Sequence, residues 1–195
     1  MVNKGAGDTM TVAVLAVQGA FAEHRAMLEK LGTQVFELRK AEDLERHFDG
    51  LVLPGGESTV QGKLLRELGM FGPLQKRIEE GMPVLATCAG LILLAKELSN
   101  DTGRYFQTLP VVVKRNAYGR QLGSFFYEGG IKGIGQYPME FIRAPYIESA
   151  DKEVSVLAEV EGNIVAVQYK NQLAMSFHPE LTKDSRIHKK FMEMI

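Results

Sequence analysis

The first half of the chain alternates short, wholly apolar runs with longer segments whose apolar residues recur at helical spacing. Residues 11–17 are an apolar run rich in β-branched side chains, and the segment after it carries Met27, Leu28 and Leu31 before a stop at Gly32. Strands that are apolar on both faces are typical of parallel sheets covered by helices. The pattern predicts a strand, a turn and a helix at the start of the fold.

The same alternation continues through the next sixty residues. Further strands are predicted at 34–38, 50–56 and 82–87, and helical segments at 59–68, 71–81 and 89–98. Because such strands alternate with helices of this length, the first half indicates an α/β fold with a parallel sheet covered on both sides.

The second half has a different pattern, with short strands separated by turn residues. These strands are predicted at 109–115, 121–128, 139–147, 154–162, 163–171 and 172–180, and a final helix at 185–195. The glycine-containing segment 129–135 is predicted to be a loop. Short strands of this kind indicate antiparallel pairs that extend or flank the parallel core.

Length and composition indicate one domain. A chain of 195 residues with 45% hydrophobic content can bury one good core and is too short for two ordinary domains. We predict a single domain over residues 10–195. Residues 1–9 are small and polar, and we expect them to be a disordered leader or a cloning remnant.

Charge and cysteine content exclude several classes of function. The 23 basic and 24 acidic residues nearly cancel and are scattered, so neither nucleic acid nor a membrane surface is an expected partner. One cysteine cannot form an internal disulfide, and neither a zinc-ligand spacing nor a membrane-spanning run is found. We therefore expect a cytoplasmic, reducing location.

Cys88 lies where the predicted strand 82–87 passes into the predicted helix 89–98 with almost no connecting residues. A residue on so sharp a turn projects above the sheet, and the positive end of the helix dipole favours a thiolate there. The N–H of Ala89 is placed to face a developing oxyanion. Lone cysteines are also among the most often buried side chains, so a nucleophile and a core residue remain equal alternatives at this point.

A base for such a nucleophile is available in the segment SFHPE, residues 176–180. Pro179 biases His178 toward an extended conformation, in which side chains two positions apart point to the same side. Glu180 can then bind one ring nitrogen of His178 and leave the other facing the thiol. Taken alone, the pair is more typical of a strand-end histidine beside a solvated glutamate. The remaining histidines lie in amphipathic or exposed helical segments and are predicted at the surface: His24, His47 and His188.

The third candidate element is the turn in LVLPGGEST, residues 51–59. A strand that ends in Pro-Gly-Gly exposes N–H groups at the carboxyl end of the sheet, where open α/β folds bind ligands. Gly56 can supply a second oxyanion donor, and a phosphate cradle is the rival interpretation, although the G-K-[ST] of nucleotide P-loops is absent. Ser58 is predicted to cap a helix or contact a ligand, because Val60 replaces the final glycine of G-x-S-x-G.

Taken together, LPGGEST, ATCAGLILLAKEL and SFHPEL resemble the class I glutamine amidotransferases, whose triad is Cys, His and Glu. AVQGAFAEH, RNAYGRQ, FIRAP and SFHPELT are similar to one branch, the glutaminase subunits of pyridoxal 5′-phosphate synthase (PdxT type), from about Met10 to Ile195. This resemblance overturns the core interpretation of Cys88. It implies a three-layer α/β sandwich, flavodoxin-like, with a mostly parallel central sheet and antiparallel strands in the second half.

The resemblance also implies residue roles. Cys88 attacks the amide carbon of glutamine, His178 protonates the departing ammonia and then activates water, and Glu180 orients His178, with glutamate released by thioester hydrolysis. Gly56 and Ala89 are the expected oxyanion donors. The residues implied in L-glutamine binding are Gly56, Glu57, Ser58, Arg115, Ile142 and Arg143. Two arginines and a glutamate suit the carboxylate and ammonium groups of an amino acid.

A partner is implied as well, because nothing in the chain resembles an enzyme that consumes ammonia. The family partner is a (β/α)8-barrel synthase, expected as a dodecameric core decorated by glutaminase subunits, which receives ammonia through an internal path. The glutaminase needs no metal or cofactor, and pyridoxal 5′-phosphate is the product of the complex. Weak activity is expected until the synthase docks around the catalytic mouth. The alternatives are a glutaminase that serves another synthase and a catalytically silent amino-acid-binding module.

Overall fold

The computed structural model describes residues 10–117 and 123–195. The predicted leader at 1–9 lies outside this range, as does the 118–121 part of RNAYGRQ. Five α-helices occur in the described residues: α1 (Phe21–Lys30), α2 (Ser58–Glu67), α3 (Phe71–Glu79), α4 (Ala89–Leu94) and α5 (Arg186–Met192). The strands of the first half are β1 (Thr11–Leu15), β2 (Gln34–Leu38), β3 (Gly50–Leu53), β4 (Val84–Thr87) and β5 (Ala95–Leu98). Those of the second half are β6 (Leu109–Lys114), β7 (Ser124–Ile131), β8 (Gly135–Ile142), β9 (Tyr146–Ala150), β10 (Ser155–Val160), β11 (Asn163–Tyr169) and β12 (Gln172–Met175).

A sheet of ten strands runs through the described residues in the order β2-β1-β3-β4-β12-β11-β9-β6-β5, with β10 paired to β11. From β2 to β12 in this order, adjacent strands pair in parallel. The pairs β12–β11, β11–β9 and β9–β6 are antiparallel, and β6–β5 is parallel again. A separate hairpin joins β7 and β8. The predicted mixture of a parallel core and antiparallel strands from the second half is confirmed.

The side chains of β1 alternate between two hydrophobic clusters, one on each face of the sheet. Ala13 and Leu15 pack in the cluster that includes residues of α2, α3 and α4. Val12 and Val14 pack in the cluster that includes residues of α1, α5 and the β7–β8 hairpin. All four side chains are fully buried, so helices cover both faces and the fold is the expected three-layer sandwich.

Three local predictions were wrong. The predicted helix 89–98 ends at Leu94, where the chain joins the sheet as β5 and pairs with β6. Periodicity alone could not show this end, because every residue of α4 is buried. The strand predicted at 139–147 is divided by a turn at Arg143, whose φ is +41°. Segment 129–135, predicted as a loop, closes the hairpin, with Ile131 paired to Gly135.

No helix among the described residues is both long and apolar enough to cross a membrane.

Candidate active site

The candidate residues meet at the carboxyl ends of the parallel strands. Gln18 follows β1, Gly56 follows β3, Cys88 follows β4 directly and His178 follows β12. Adjacent parallel strands end at the same edge of a sheet, and this edge is where open α/β folds bind ligands. The order of the strands therefore brings together four segments that are distant in sequence.

Cys88 forms the turn between β4 and α4. Its φ of +48° and ψ of −101° lie outside the regions that L-residues favour, at a cost on the order of 1–3 kcal/mol. The Cys88 N–H donates to the carbonyl of Met175 at 2.8 Å, and its carbonyl accepts from the Ile92 N–H at 3.3 Å. Its Sγ lies 3.9 Å from the Ile142 carbonyl oxygen. The surrounding backbone thus holds the predicted elbow in a strained conformation.

His178 and Glu180 are in contact, but the predicted reason for it was wrong. His178 Nδ1 lies 2.7 Å from Glu180 Oε1. The strand β12 ends at Met175, and Glu180 lies in a 3-10 turn, Pro179–Leu181, rather than in an extended segment. A proline suits the first position of such a turn because that position needs no N–H donor. The His178 N–H donates to the Glu140 carbonyl at 2.8 Å, which fixes the base against β8.

The electrostatics of the pair favour an ionised carboxylate beside a protonated imidazole. Burial lowers the pKa of His178, but hydrogen bonds with Cys88 and Glu180 outweigh it and raise that pKa to about 10. Burial raises the pKa of Glu180, yet His24 and His178 together bring it below the ordinary value. The proton on His178 is thus stabilised from both sides, which suits an imidazole that takes the proton of a thiol.

A cavity of about 350 Å³ opens above Cys88 and His178. The structure brings all six predicted substrate-binding residues to its wall: Gly56, Glu57, Ser58, Arg115, Ile142 and Arg143. Sequence reasoning missed Gln18, which also lines the cavity and whose Oε1 accepts the Glu57 N–H at 2.8 Å. The signal for Gln18 was its position in the first loop after a parallel strand.

The Pro-Gly-Gly turn needs both glycines. A Cβ on Gly55 would lie 2.3 Å from His178 Cε1, and a Cβ on Gly56 would lie 2.4 Å from Gln18 Oε1. The Gly56 φ of +154° is also unfavourable for other residues. The Gly55 carbonyl accepts the Ala20 N–H at 3.1 Å, and the Gly55 N–H donates to Thr87 Oγ1 at 3.1 Å. These bonds attach the turn to the first loop and to the residue before the elbow.

The two arginines occupy different environments. The Arg115 guanidinium pairs with Asp101 and donates to Thr59 Oγ1 at 3.3 Å, and its backbone is held by Asn100. Arg143 lies at the turn after β8 with its side chain exposed. Arg115 is therefore braced within the protein, whereas Arg143 extends from the rim of the cavity.

Ser58 is not a helix cap, because α2 begins at Ser58 itself with Glu57 as the preceding residue. Its hydroxyl is buried and has no hydrogen-bond partner within residues 10–117 and 123–195. Ala89 is the first residue of α4, where the N–H has no partner inside the helix. Both groups are therefore suited to a bound ligand.

Two of the three histidines predicted at the surface are buried. His24 on α1 and His188 on α5 are fully inaccessible, and only His47 is exposed as predicted. The burial of His24 could have been inferred from its neighbours, since His24 shares a helix face with Met27 and Leu28.

No group of three or more His, Cys, Asp or Glu side chains in the described parts of the chain is arranged to hold a metal ion.

Comparisons with known proteins identify the family. The model of the SNO glutamine amidotransferase family matches residues 14–195. A protein of Desulfitobacterium hafniense named pyridoxal 5′-phosphate synthase subunit PdxT is 62% identical over 186 residues, with 95% of this chain and 94% of the relative covered. A Haemophilus influenzae protein of the same name is 54% identical over 188 residues, with 95% and 98% covered.

A solved structure described as a glutamine amidotransferase superposes with a TM-score of 0.89 at 44% identity, over 94% of this chain and 97% of that one. The family match extends over nearly the whole described chain, and its described function agrees with the resemblance noted in the sequence. The chain therefore belongs to the SNO glutamine amidotransferase family.

Proposed function

We propose that the chain is the glutaminase subunit of a pyridoxal 5′-phosphate synthase and hydrolyses L-glutamine to L-glutamate and ammonia. The observation that carries the proposal is the shared cavity of Cys88 and His178, with His178 bonded to Glu180 on its far side. The names of the relatives at 62% and 54% identity support the complex, and the description of the glutamine amidotransferase family supports the reaction.

In the first half of the proposed reaction, Cys88 Sγ attacks the side-chain amide carbon of glutamine and its proton passes to His178. The carbonyl oxygen becomes an oxyanion, for which the N–H groups of Ala89 and Gly56 are the proposed donors. When the carbon–nitrogen bond breaks, His178 delivers its proton to the leaving nitrogen, and ammonia departs. A thioester between Cys88 and the glutamyl group remains.

In the second half, His178 removes a proton from water, and the resulting hydroxide attacks the thioester carbon. The bond to sulfur breaks, glutamate is released, and the thiol regains its proton from His178. Glu180 keeps the imidazole oriented through both halves, as the carboxylate does in other triads. The proposal assigns each step to the chain's own side chains and includes no cofactor.

For substrate binding, we assign the exposed Arg143 to the α-carboxylate of glutamine and Glu57 to the α-ammonium group. Arg115 already pairs with Asp101, so its proposed role is to position that wall of the cavity. The buried Ser58 hydroxyl, which has no partner among the described residues, and the Gly56 backbone supply neutral contacts. The Ile142 side chain lines the cavity beside Cys88.

The proposed partner is a (β/α)8-barrel synthase with a dodecameric core that takes up the ammonia before water can protonate it. The docking face is proposed at the mouth of the cavity, where Ile142 and, further along the hairpin, Phe126 are exposed at 40% and 57%. Phe126 pairs with Glu140, two residues from Ile142. Because a thiol nucleophile must stay reduced, the proposed location is the cytoplasm.

A glutaminase assay with and without a purified barrel synthase tests the function. We expect ammonia from glutamine to increase strongly when the synthase is added and pyridoxal 5′-phosphate to appear when its phosphate substrates are present. Cys88→Ala should abolish both while it keeps the folded structure. No ammonia in the presence of the synthase, together with glutamine-protected labelling of Cys88 by a glutamine-derived electrophile, would indicate a silent binding module instead.

A further inference from the structure

A second row of polar side chains lies behind the proposed triad, beneath the sheet edge. His24 Nε2 is 3.3 Å from Glu180 Oε2 and 3.2 Å from Thr87 Oγ1. On its other side, His24 Nδ1 is 3.0 Å from His188 Nε2. All of these side chains are buried, although none of the proposed reaction steps uses either histidine.

The hydrogen positions follow from what each partner can accept. His24 Nε2 faces two oxygens, Thr87 Oγ1 and Glu180 Oε2. An ionised carboxylate only accepts hydrogen bonds, and Thr87 Oγ1 can accept as well, so a hydrogen on His24 Nε2 suits both neighbours. His24 Nδ1 is then a lone pair that accepts from the Nε2–H of His188. The remaining His188 Nδ1 is an acceptor, and it has no hydrogen-bond partner in the parts of the chain that the structure describes. The row thus directs two N–H groups, one after the other, toward the carboxylate.

This arrangement requires both rings to be neutral, and burial supplies that condition. Burial lowers the pKa of His24, although the charges of Glu180 and Glu23 oppose the shift and that of His178 adds to it. Burial, and second the neighbouring His24 imidazole, lower the pKa of His188 to about 3 against the opposing effect of Glu180. At neutral pH each ring therefore acts as a donor on one nitrogen and an acceptor on the other.

Glu180 depends on this donor because its two oxygens face different neighbours. Oε1 binds His178 at 2.7 Å, whereas Oε2 is buried and meets His24 without the alignment of an ideal hydrogen bond. A buried carboxylate oxygen left with no donor is strongly destabilised. Loss of His24 would allow the carboxylate to rotate or to take up a proton, and either change removes the support of His178.

We propose that His24 is a positioning residue of the glutaminase reaction, whose Nε2–H lies between Thr87 Oγ1 and Glu180 Oε2 and stabilises the charged carboxylate with Oε1 directed at His178. The inference rests on the proposed function, since it concerns the same triad. His188 is the outer member of the row and fixes the orientation of the His24 ring.

Three substitutions at His24 separate positioning from simple packing. The Gln amide nitrogen reaches the position of the imidazole Nε2 and can still donate to Glu180. The Asn amide nitrogen reaches only the Nδ1 position, which faces His188, and the Leu side chain has no donor. We expect synthase-activated kcat to fall about tenfold to a hundredfold in His24→Leu and His24→Asn, the range of one hydrogen bond to a charged group, with KM within about twofold. His24→Gln should stay within about threefold of the wild type.

The pH profile of kcat/KM gives a readout that altered packing would not move. Without its donor, the charged form of Glu180 is less stable, so its pKa rises and the acid limb of the profile should shift to higher pH in the Leu and Asn variants. His24→Gln should restore the limb. If His24→Leu does not fold, the Gln and Asn variants make the same comparison. If His24→Gln and His24→Asn had equal kcat values and the same acid limb as the wild type, the proposal would be overturned.

A measurement without substrate distinguishes this outcome from failure of the proposed function. The proton in the His178–Glu180 hydrogen bond should give a downfield proton NMR signal in the wild type and in His24→Gln. This signal should be absent from the spectrum of His24→Asn. If the wild type shows this signal but does not hydrolyse glutamine in the presence of the synthase, the proposed function is wrong. The role of His24 in positioning Glu180 would still stand. The same signal in all variants would reject the role of His24.

Discussion

Thr87 Oγ1 accepts the N–H of Gly55 across 3.1 Å, so the residue before the nucleophile holds the turn that carries a proposed oxyanion donor. Thr87 is fully buried, and Gly55 immediately precedes Gly56. This hydroxyl therefore links the segment of Cys88 directly to the Pro-Gly-Gly turn.

Thr87→Val keeps the shape of the side chain and removes this acceptor. The buried Gly55 N–H loses its partner, which should lower the free energy of unfolding by about 1–3 kcal/mol, measured by urea denaturation. Synthase-activated kcat should fall about tenfold, because the proposed donor at Gly56 is less firmly placed. Thr87→Ser keeps the hydroxyl and is the matched control. Equal kcat in Val and Ser variants would contradict the link between the two segments.

Gly55→Ala should disable the base while the fold is retained. The added Cβ would lie 2.3 Å from His178 Cε1, closer than any real contact, so the imidazole must move. A misplacement of about 1 Å can cost roughly a hundredfold in rate, and we expect at least that loss in kcat. Gly130→Ala is the control, since nothing lies within 4 Å of its Cβ position on the exposed hairpin. Near wild-type kcat for Gly55→Ala would show that His178 tolerates a second position.

Acid should destabilise the protein through its buried histidines. The pKa of His188 is lowered to about 3 by burial first and by His24 second. Below the ordinary histidine pKa of 6.5, the unfolded chain binds a proton that folded His188 does not, so stability is present above pH 6.5 and is lost as the pH falls toward 3. For His188 alone, the loss between pH 7 and pH 5 is about 2 kcal/mol.

Urea unfolding at pH 7 and pH 5 measures this effect. His188→Gln should show a smaller difference between the two pH values than the wild type, because one of the two buried histidines with a lowered pKa is gone. The exposed His47→Gln variant is the control for removal of a histidine and should keep the wild-type difference. An unchanged difference in His188→Gln would mean that His24 alone, or other groups, carry the acid sensitivity.

Substitution of Arg143 should mainly change KM for glutamine, whereas substitution of Arg115 should mainly change the melting temperature. Arg143→Gln removes the proposed partner of the substrate carboxylate and should raise KM for glutamine about tenfold to a hundredfold, with a smaller change in kcat. Arg115→Gln breaks the ion pair with Asp101 and should lower the melting temperature more than Arg143→Gln does. If Arg115→Gln instead raised KM more strongly, Arg115 would be the carboxylate ligand.

Much of the site could be predicted because its parts are encoded locally. An abrupt change from strand to helix can only place Cys88 on a sharp turn, and its φ of +48° confirms that turn. Parallel strands end at one edge, so the residues after β3 and β4 were expected to meet. β12 ends at the same edge because it pairs parallel to β4, which the pattern of the second half did not predict. The contact of His178 with Glu180 followed from their separation of two residues, even though a 3-10 turn rather than a strand produces it.

The remaining features depend on contacts between distant segments. Ala95 begins a strand because β6, far along the chain, offers a partner there, and no local pattern records that. The burial of His24 and His188 depends on a carboxylate and on each other, across 164 positions of sequence. The helix face that His24 shares with Met27 and Leu28 indicated burial, but one helix alone could not show that His188 would be its partner.

Within three consecutive residues, the strand β8 contacts the backbone of the base and the side chain of the nucleophile. The Glu140 carbonyl accepts the His178 N–H at 2.8 Å, and the Ile142 carbonyl lies 3.9 Å from Cys88 Sγ. One insertion or deletion between these positions would reverse the faces of the strand and change the distance from nucleophile to base. Natural variation in chain length should therefore be confined to the far turn of the hairpin at 132–134. Segment 140–142 should keep a constant length.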